Sequence, residues 1–286
     1  MVIRDRSAKS EFRRRITLLV LWACLCFGVI TPVAAEEALW EVGAGLGALT
    51  FPDYLGSDQR HAYLVPLPYL IYRGTFLKVE RDKVRGLLYQ DEHSEWDISL
   101  GAAVPVKSND NAARAGMANL DPTFEIGPQW SYKIRDDSLK VTLRLPVRKV
   151  LSVDFPRVHD VGWIFAPTLA LDRDNHPWPG WQASISTGPL FGDRNYHAYY
   201  YSVGADATNA SRQAYTATGG YGGWQFTTTL GKRYRRVWIG GFLRINQLNG
   251  AVFIDSPLVR QTTSWMAGIG VSVPFMESST RVGSVQ

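Results

Sequence analysis

Pro122-Thr123-Phe124-Glu125-Ile126-Gly127-Pro128-Gln129-Trp130-Ser131-Tyr132-Lys133-Ile134 decides the fold. Phe124, Ile126, Pro128, Trp130, Tyr132 and Ile134 share one parity, and Thr123, Glu125, Gly127, Gln129, Ser131 and Lys133 the other. A period of two over thirteen residues is the signature of a strand with one apolar face. The same alternation runs through Trp96, Ile98, Leu100, Ala102, Val104 and Val106. It returns in Val141, Leu143, Leu145 and Val147, again in Val161, Trp163, Phe165, Pro167, Leu169 and Leu171, and finally in Trp265 through Phe275. The chain is all-β.

Alternation alone does not separate a soluble sandwich from a membrane barrel. Strand length does: these stripes run ten to thirteen residues, against ~5–6 in soluble proteins. Trp40, Trp96, Trp130, Tyr132, Trp224, Tyr234 and Trp265 sit near stripe ends, where interfacial girdles place aromatics. The last stripe closes on Phe275, a terminal aromatic typical of outer-membrane barrels. Pro128 and Pro167 fall mid-strand and oppose the reading, because each removes a ladder donor. The pattern predicts a transmembrane antiparallel β-barrel of twelve strands, at 39–50, 63–73, 75–80, 84–90, 95–106, 122–134, 138–151, 160–172, 180–188, 221–233, 236–246 and 263–275. An even number returns both ends to the periplasm, with short turns on that side and the longer loops outside. The pair 75–80 and 84–90 reads as two strands or as one.

The N-terminus explains the charge. Residues 1–35 hold six basic residues and two acidic ones, so the 31 basic and 26 acidic residues of the whole chain fall to 25 and 24 beyond it. The pI near 9 therefore reflects a leader rather than a basic surface, which excludes a nucleic-acid binder. Arg13-Arg14-Arg15, the apolar run Ile16 to Ile30 and Thr31-Pro32-Val33-Ala34-Ala35 are the three parts of a secretory signal peptide. Cleavage is expected between Ala35 and Glu36. The predicted organisation is a signal peptide over 1–35, a barrel over 36–275 and a polar tail over 276–286. Both cysteines, Cys24 and Cys26, lie in the leader, which excludes thiol catalysis and Cys-zinc sites from the exported part.

Several short stretches, in order, resemble the MipA/OmpV family of outer-membrane proteins. They are Phe51-Pro52-Asp53-Tyr54-Leu55-Gly56-Ser57-Asp58, Pro66-Leu67-Pro68-Tyr69-Leu70-Ile71-Tyr72-Arg73-Gly74, Leu145-Pro146-Val147-Arg148, Asn195-Tyr196-His197-Ala198-Tyr199-Tyr200-Tyr201, Gly219-Gly220-Tyr221 and Asp255-Ser256-Pro257-Leu258-Val259. Pro52, Tyr54, Gly56 and Ser57 carry the family-like motif. The resemblance implies a barrel in the cell outer membrane of a Gram-negative bacterium, surrounded by outer-membrane lipid. It also implies a scaffold linking a lytic transglycosylase to a bifunctional penicillin-binding protein. Other relatives are described as osmotically regulated or immunogenic surface proteins, so fold transfers more safely than role.

No catalytic, metal or cofactor constellation stands out, and the expectation is a non-enzyme. The histidines His61, His93, His159, His176 and His197 are scattered; His159 and Asp160, as strand neighbours, point to opposite faces. The polar parity places Asp97, Glu125, Lys140, Arg144, Arg148, Arg233 and Arg244 in the lumen, because a mid-plane Arg or Lys on the lipid face costs ~2–4 kcal/mol. These charges read either as mutually paired filling or as an anion-preferring pore for small solutes. Trp238 and Phe242, of the same parity as Arg244, favour filling. The tyrosines 196 and 199–201 are expected to extend a strand into the outer girdle. The turn 172–180 and the tail 276–286 are the expected partner surfaces.

Overall fold

The computed structural model describes residues 36–74, 76–79, 84–135, 139–175 and 178–283. The leader, residues 75 and 80–83, His176 and the last three tail residues lie outside them, as does Ala35 of the expected cleavage site. The chain divides into two units, Met1–Glu37 with Val282–Gln286, and Ala38–Arg281. Short strands β1 (Glu36–Ala38) and β15 (Arg281–Gly283) lie at the boundaries between them.

The second unit is the barrel. Its strands are β2 (Trp40–Pro52), β3 (Arg60–Arg73), β4 (Leu77–Val79), β5 (Val84–Gln90), β6 (Ser94–Ala103), β7 (Thr123–Arg135), β8 (Lys140–Asp154), β9 (Arg157–Phe165), β10 (Thr168–Asp174), β11 (Trp181–Gly192), β12 (Gly220–Tyr234), β13 (Val237–Gln247) and β14 (Thr263–Glu277). Neighbours in sequence pair antiparallel around the sheet, and β14 pairs with β2. Both β9 and β10 lie between β8 and β11, which closes the ring.

These two segments share one strand position, so the described barrel has twelve positions. The continuous strand expected over 160–172 is broken at Ala166-Pro167, where proline has no N–H to give the ladder. Pro128 remains inside β7. Its ladder to β6 is intact, but towards β8 the register passes from Ile126↔Lys149 to Gln129↔Pro146 and skips the rungs between. Of the strand expected over 75–80, β4 covers Leu77–Val79, residues 75 and 80 lying outside the described ones, and the expected loop 151–159 contracts to Phe155-Pro156 between β8 and β9.

Sidedness follows the parity rule. Phe124, Ile126, Tyr132 and Ile134 of β7 are exposed, as are Trp96 and Leu100, Leu143 and Val147, Leu169 and Leu171, and Trp265, Ile269, Val271, Val273 and Phe275. Glu41, Glu95, Asp97, Ser131, Thr142, Asn246, Ser264 and Ser272 are buried. Apolar residues outside and polar residues inside is the inverse of a soluble core, and closure of the ring lets the paired rungs of such a wall satisfy their backbone groups within the protein. The protein is a transmembrane β-barrel. Among the described residues no helix is long and apolar enough to cross a membrane.

Candidate functional site

Two structures occupy the inside and the outer mouth of the barrel: layers of paired charges and a cap made from four loops.

At the inner end Glu41 of β2 collects three donors. Arg73 of β3 lies at 2.8 Å, Arg233 of β12 at 3.1 Å, and the Tyr69 hydroxyl donates to it at 3.1 Å. Glu95 of β6 pairs with Lys133 of β7, and Asp97 accepts from Gln129 Nε2 at 3.2 Å. Higher up, Arg148 of β8 lies 3.1 Å from Glu125 of β7 and donates to Ser99 Oγ at 3.3 Å. Arg244 of β13 donates to Thr227 Oγ1 at 3.0 Å. Arg144 lies 3.8 Å from Asp172, and Lys140 is that aspartate's partner in register. Glu41, Arg73, Glu95 and Lys133 were not among the seven residues singled out from sequence. The available signal was parity: Glu41 is of the polar parity opposite Trp40 and Val42, but glycines at 43, 45 and 47 blur the stripe.

The cap is built from residues 53–59, 104–122, 193–219 and 248–262, on the side that long loops take outside the cell. Tyr54, Val106, Leu120, Tyr201, Val203, Ala217, Leu248, Ala251, Phe253 and Leu258 form its core. The tyrosines expected in a girdle strand instead lie on a helix, α1 (Arg194–Tyr201), whose first turn is capped by Asp193 accepting from the Tyr196 N–H at 2.8 Å. Tyr201 stacks on Phe253 at 3.7 Å and donates to the Leu55 carbonyl at 3.0 Å.

Two buried arginines lock the cap without a carboxylate. Arg212 donates to the carbonyls of Ala207 (2.8 Å), Ala113 (2.8 Å) and Ala115 (3.0 Å). Arg114 donates to Ser108 Oγ (3.3 Å) and to the carbonyls of Tyr200 (3.1 Å) and Ala118 (3.2 Å). Burial pushes the Arg114 guanidinium below its ordinary value. The same burial pushes the phenols of Tyr54 and Tyr200 up to about 12.

The family-like motif falls inside this cap. Pro52 ends β2 and is buried. The Tyr54 hydroxyl donates to the Leu258 carbonyl at 2.8 Å. Gly56 turns with φ 94°, where a side chain is strained; its N–H donates to Ser264 Oγ at 2.9 Å and its carbonyl accepts from Arg260 and Gln261. Ser57 is fully buried and accepts from Asn111 Nδ2 at 3.0 Å. The motif clamps the first loop to the second and the fourth.

The histidines do not converge. His61 faces Asp53 at 2.7 Å, and Asp160 pairs with Lys149 rather than with His159. His197 is fully buried on α1, with Nδ1 2.8 Å from the Thr218 carbonyl and its ring 4.8 Å from Phe253. Burial lowers its pKa below the ordinary histidine value, so the ring is neutral and Nδ1 carries the proton. Among the described residues no three metal-capable side chains cluster.

Comparison with known proteins places these features. No curated protein matches the chain. Among solved structures it is similar to a bacterial polysaccharide outer membrane secretin (TM-score 0.44, 7% identity, 84% of this chain and 100% of that one). It is also similar to outer membrane phospholipase A from Escherichia coli (TM-score 0.32, 8% identity, 82% and 92%). A third is the Ralstonia pickettii toluene transporter TbuX (TM-score 0.26, 8% identity, 86% and 71%). The family model described as MltA-interacting protein MipA matches residues 44–275, from β2 to the last strand. With that match over most of its length, the chain is an outer-membrane barrel belonging to the MipA family.

Proposed function

We propose that the protein is a non-enzymatic outer-membrane scaffold that holds a lytic transglycosylase and a bifunctional penicillin-binding protein at the murein. A signal peptide over 1–35 exports it, and the barrel of 36–275 anchors it. The observation that carries the reading is the occupied interior: Glu41–Arg73–Arg233, Glu95–Lys133 and Glu125–Arg148 cross-link the wall from within, under a cap with its own core. A barrel so filled serves as an anchor, and the family description names MltA as the interacting protein of its founding member. The inner turn 172–180, with Trp178 60% exposed, and the tail 276–286 are the partner surfaces. No residue serves as catalyst or cofactor ligand.

Capture with the immobilised, folded chain in mild detergent tests this: salt-resistant retention of a lytic transglycosylase is expected, and little conductance in a planar bilayer. A second reading, an anion-preferring channel, rests on Arg148 and Arg244 sharing the single carboxylate Glu125. Steady conductance that changes sign preference in the Arg144→Glu/Arg148→Glu variant, with nothing captured, would replace the scaffold by the channel.

A further inference from the structure

On β10 and β12 the lipid-facing stripe ends in a cation. From mid-wall to the inner rim the outward residues of β10 are Leu169, Leu171 and Arg173, all exposed. Those of β12 run from Trp224 and Phe226 to Lys232 and Tyr234, the last 61% exposed. Between the two strands β11 presents Ile185, Ala183 and Trp181 on the same face. Register fixes the row: Arg173 stands opposite Ala183, and Lys232 opposite Trp181. Two strand spacings and a two-residue offset put the two cations about 12 Å apart. Arg235 and Arg236, exposed in the turn between β12 and β13, extend the positive charge beyond the rim.

The carboxylates of this sector are committed elsewhere. Asp172 has the inward parity and lies 3.8 Å from Arg144, and Asp174 accepts from Gln182 Nε2 at 3.3 Å. The turn Tyr234-Arg235-Arg236-Val237 contains none, and Glu277 of β14 pairs with Arg281 at 3.3 Å. Among the described residues, Arg173, Lys232, Arg235 and Arg236 therefore have no ion-pair partner. Aromatics alone are ordinary at a membrane interface. At the turn between β5 and β6 they come with acids: Tyr89 donates to Asp91 at 3.3 Å, and Glu92 follows. The sector β10–β12 instead combines its aromatics with cations that no carboxylate neutralises.

Lys232 is held in position. Its ammonium donates to the Pro179 carbonyl at 3.4 Å and lies 5.6 Å from the centre of the Trp181 ring, beside Gly180, whose φ of 77° turns the chain there. A lysine has three N–H groups, so two remain for a ligand. Trp178 packs edge-on against Trp181 at 6.0 Å and steadies the indole. Ala183 is flanked in register by Arg173 and Leu230, so its small side chain leaves a dip between the two cations that leads into the apolar belt at Ile185. Cations beside an indole at the end of an apolar stripe match a phosphodiester that carries acyl chains.

We propose that the inner rim of β10–β12 binds an anionic phospholipid of the inner leaflet, its phosphodiester between Lys232 and Arg173, its glycerol on Trp181 and an acyl chain over Ala183 and Ile185. The cap lies at the other end of the barrel, so the outer leaflet is not the source. The site is on the membrane side of the strands and does not depend on the protein partners proposed above. The test is native mass spectrometry of the folded protein, purified from outer membranes in mild detergent and titrated with dioleoyl phosphatidylglycerol or dioleoyl phosphatidylcholine. A basic side chain facing an anionic lipid contributes about fivefold in affinity (~1 kcal/mol), so two give phosphatidylglycerol a preference of about 25-fold. Arg173→Gln/Lys232→Gln is expected to remove that preference. Arg173→Gln alone, where the side chain has no hydrogen-bond partner among the described residues, lowers it about fivefold and serves if the double variant fails to fold. Lys149→Gln, at a cation paired with Asp160 higher on the wall, leaves it unchanged. Equal retention of the two lipids by the wild type would overturn the site, as would a preference that the Arg173 and Lys232 variants keep or that Lys149→Gln lowers equally. Displacement of the lipid by glycerol 3-phosphate at equal concentration would overturn it in favour of a free phosphate ester.

Discussion

Replacing Arg212 by alanine separates the cap from the barrel. The side chain is 6% exposed and spends its guanidinium on three carbonyls, two of them, Ala113 and Ala115, on the second loop. A hydrogen bond from a charged donor contributes about 1.5 kcal/mol at the low end, so three contribute about 4.5. Relief from burying a cation without a carboxylate offsets part, leaving about 3 kcal/mol. That loss falls on the cap alone, because no barrel rung uses these groups. Amides of 104–122 should then exchange with solvent on the order of a hundredfold faster, while amides of β2, β7 and β14 keep their protection. Hydrogen–deuterium exchange with mass spectrometry on the refolded protein in detergent reads both. If the loop changes less than about threefold, the three bonds do not hold the cap. If the barrel strands accelerate with it, cap and wall are one cooperative unit and the reasoning fails.

Tyr54→Phe leaves the Leu258 carbonyl without its donor and should loosen the cap by about 1–2 kcal/mol, read as faster protease cleavage near Leu258. Glu41→Ala leaves Arg73 and Arg233 facing each other and should lower barrel stability by about 3–5 kcal/mol in urea unfolding from liposomes, with the cap unaffected. His197 has a lowered folded-state pKa, so its stabilisation is present above the ordinary value near 6.5 and is lost as pH falls through the lowered one. Cap amides should exchange faster at pH 5 than at pH 7 after correction for intrinsic rates, and His197→Gln should abolish that difference. The Tyr54 and Tyr200 phenols act oppositely: their contribution holds below pH ~10 and is lost as pH rises towards about 12, visible in phenolate absorbance at 295 nm.

The wall was legible in the sequence and the cap was not, for one physical reason. A strand in a lipid-facing barrel is specified locally: its parity is imposed by lipid on one side and water or charge on the other, so β7 and β14 announce themselves residue by residue. The cap is held by pairs such as Tyr54 with Leu258, Gly56 with Ser264 and Arg212 with Ala113, which join distant loops and leave no period. Helix α1 shows how local preference misleads. Its aromatic run Tyr199-Tyr200-Tyr201 favours a strand by propensity, and burial against Phe253 and Leu55 outweighs it. The one sequence signal for the helix was Asp193, three residues before the N–H that it caps.

The prolines make the same point about context. Pro128 and Pro167 read as costs to a closed barrel, and the structure accommodates them by skipping rungs and by splitting a strand into β9 and β10. Pro66 and Pro68 break no rung to β2, because the donors they lack would face the other edge, where among the described residues β4 pairs only with Tyr72 and Arg73. Proline is thus tolerated wherever a donor has nowhere to go, and its placement marks the unpaired parts of a wall more directly than hydrophobicity does. The motif at 51–58 follows a parallel logic. Tyr54, Gly56 and Ser57 are buried and each is committed to another loop, so none has a polar group left for chemistry. Of the stretches through which this chain resembles its family, this one forms the clasp that ties the outer loops together. A role carried by the other end therefore leaves little trace in those residues.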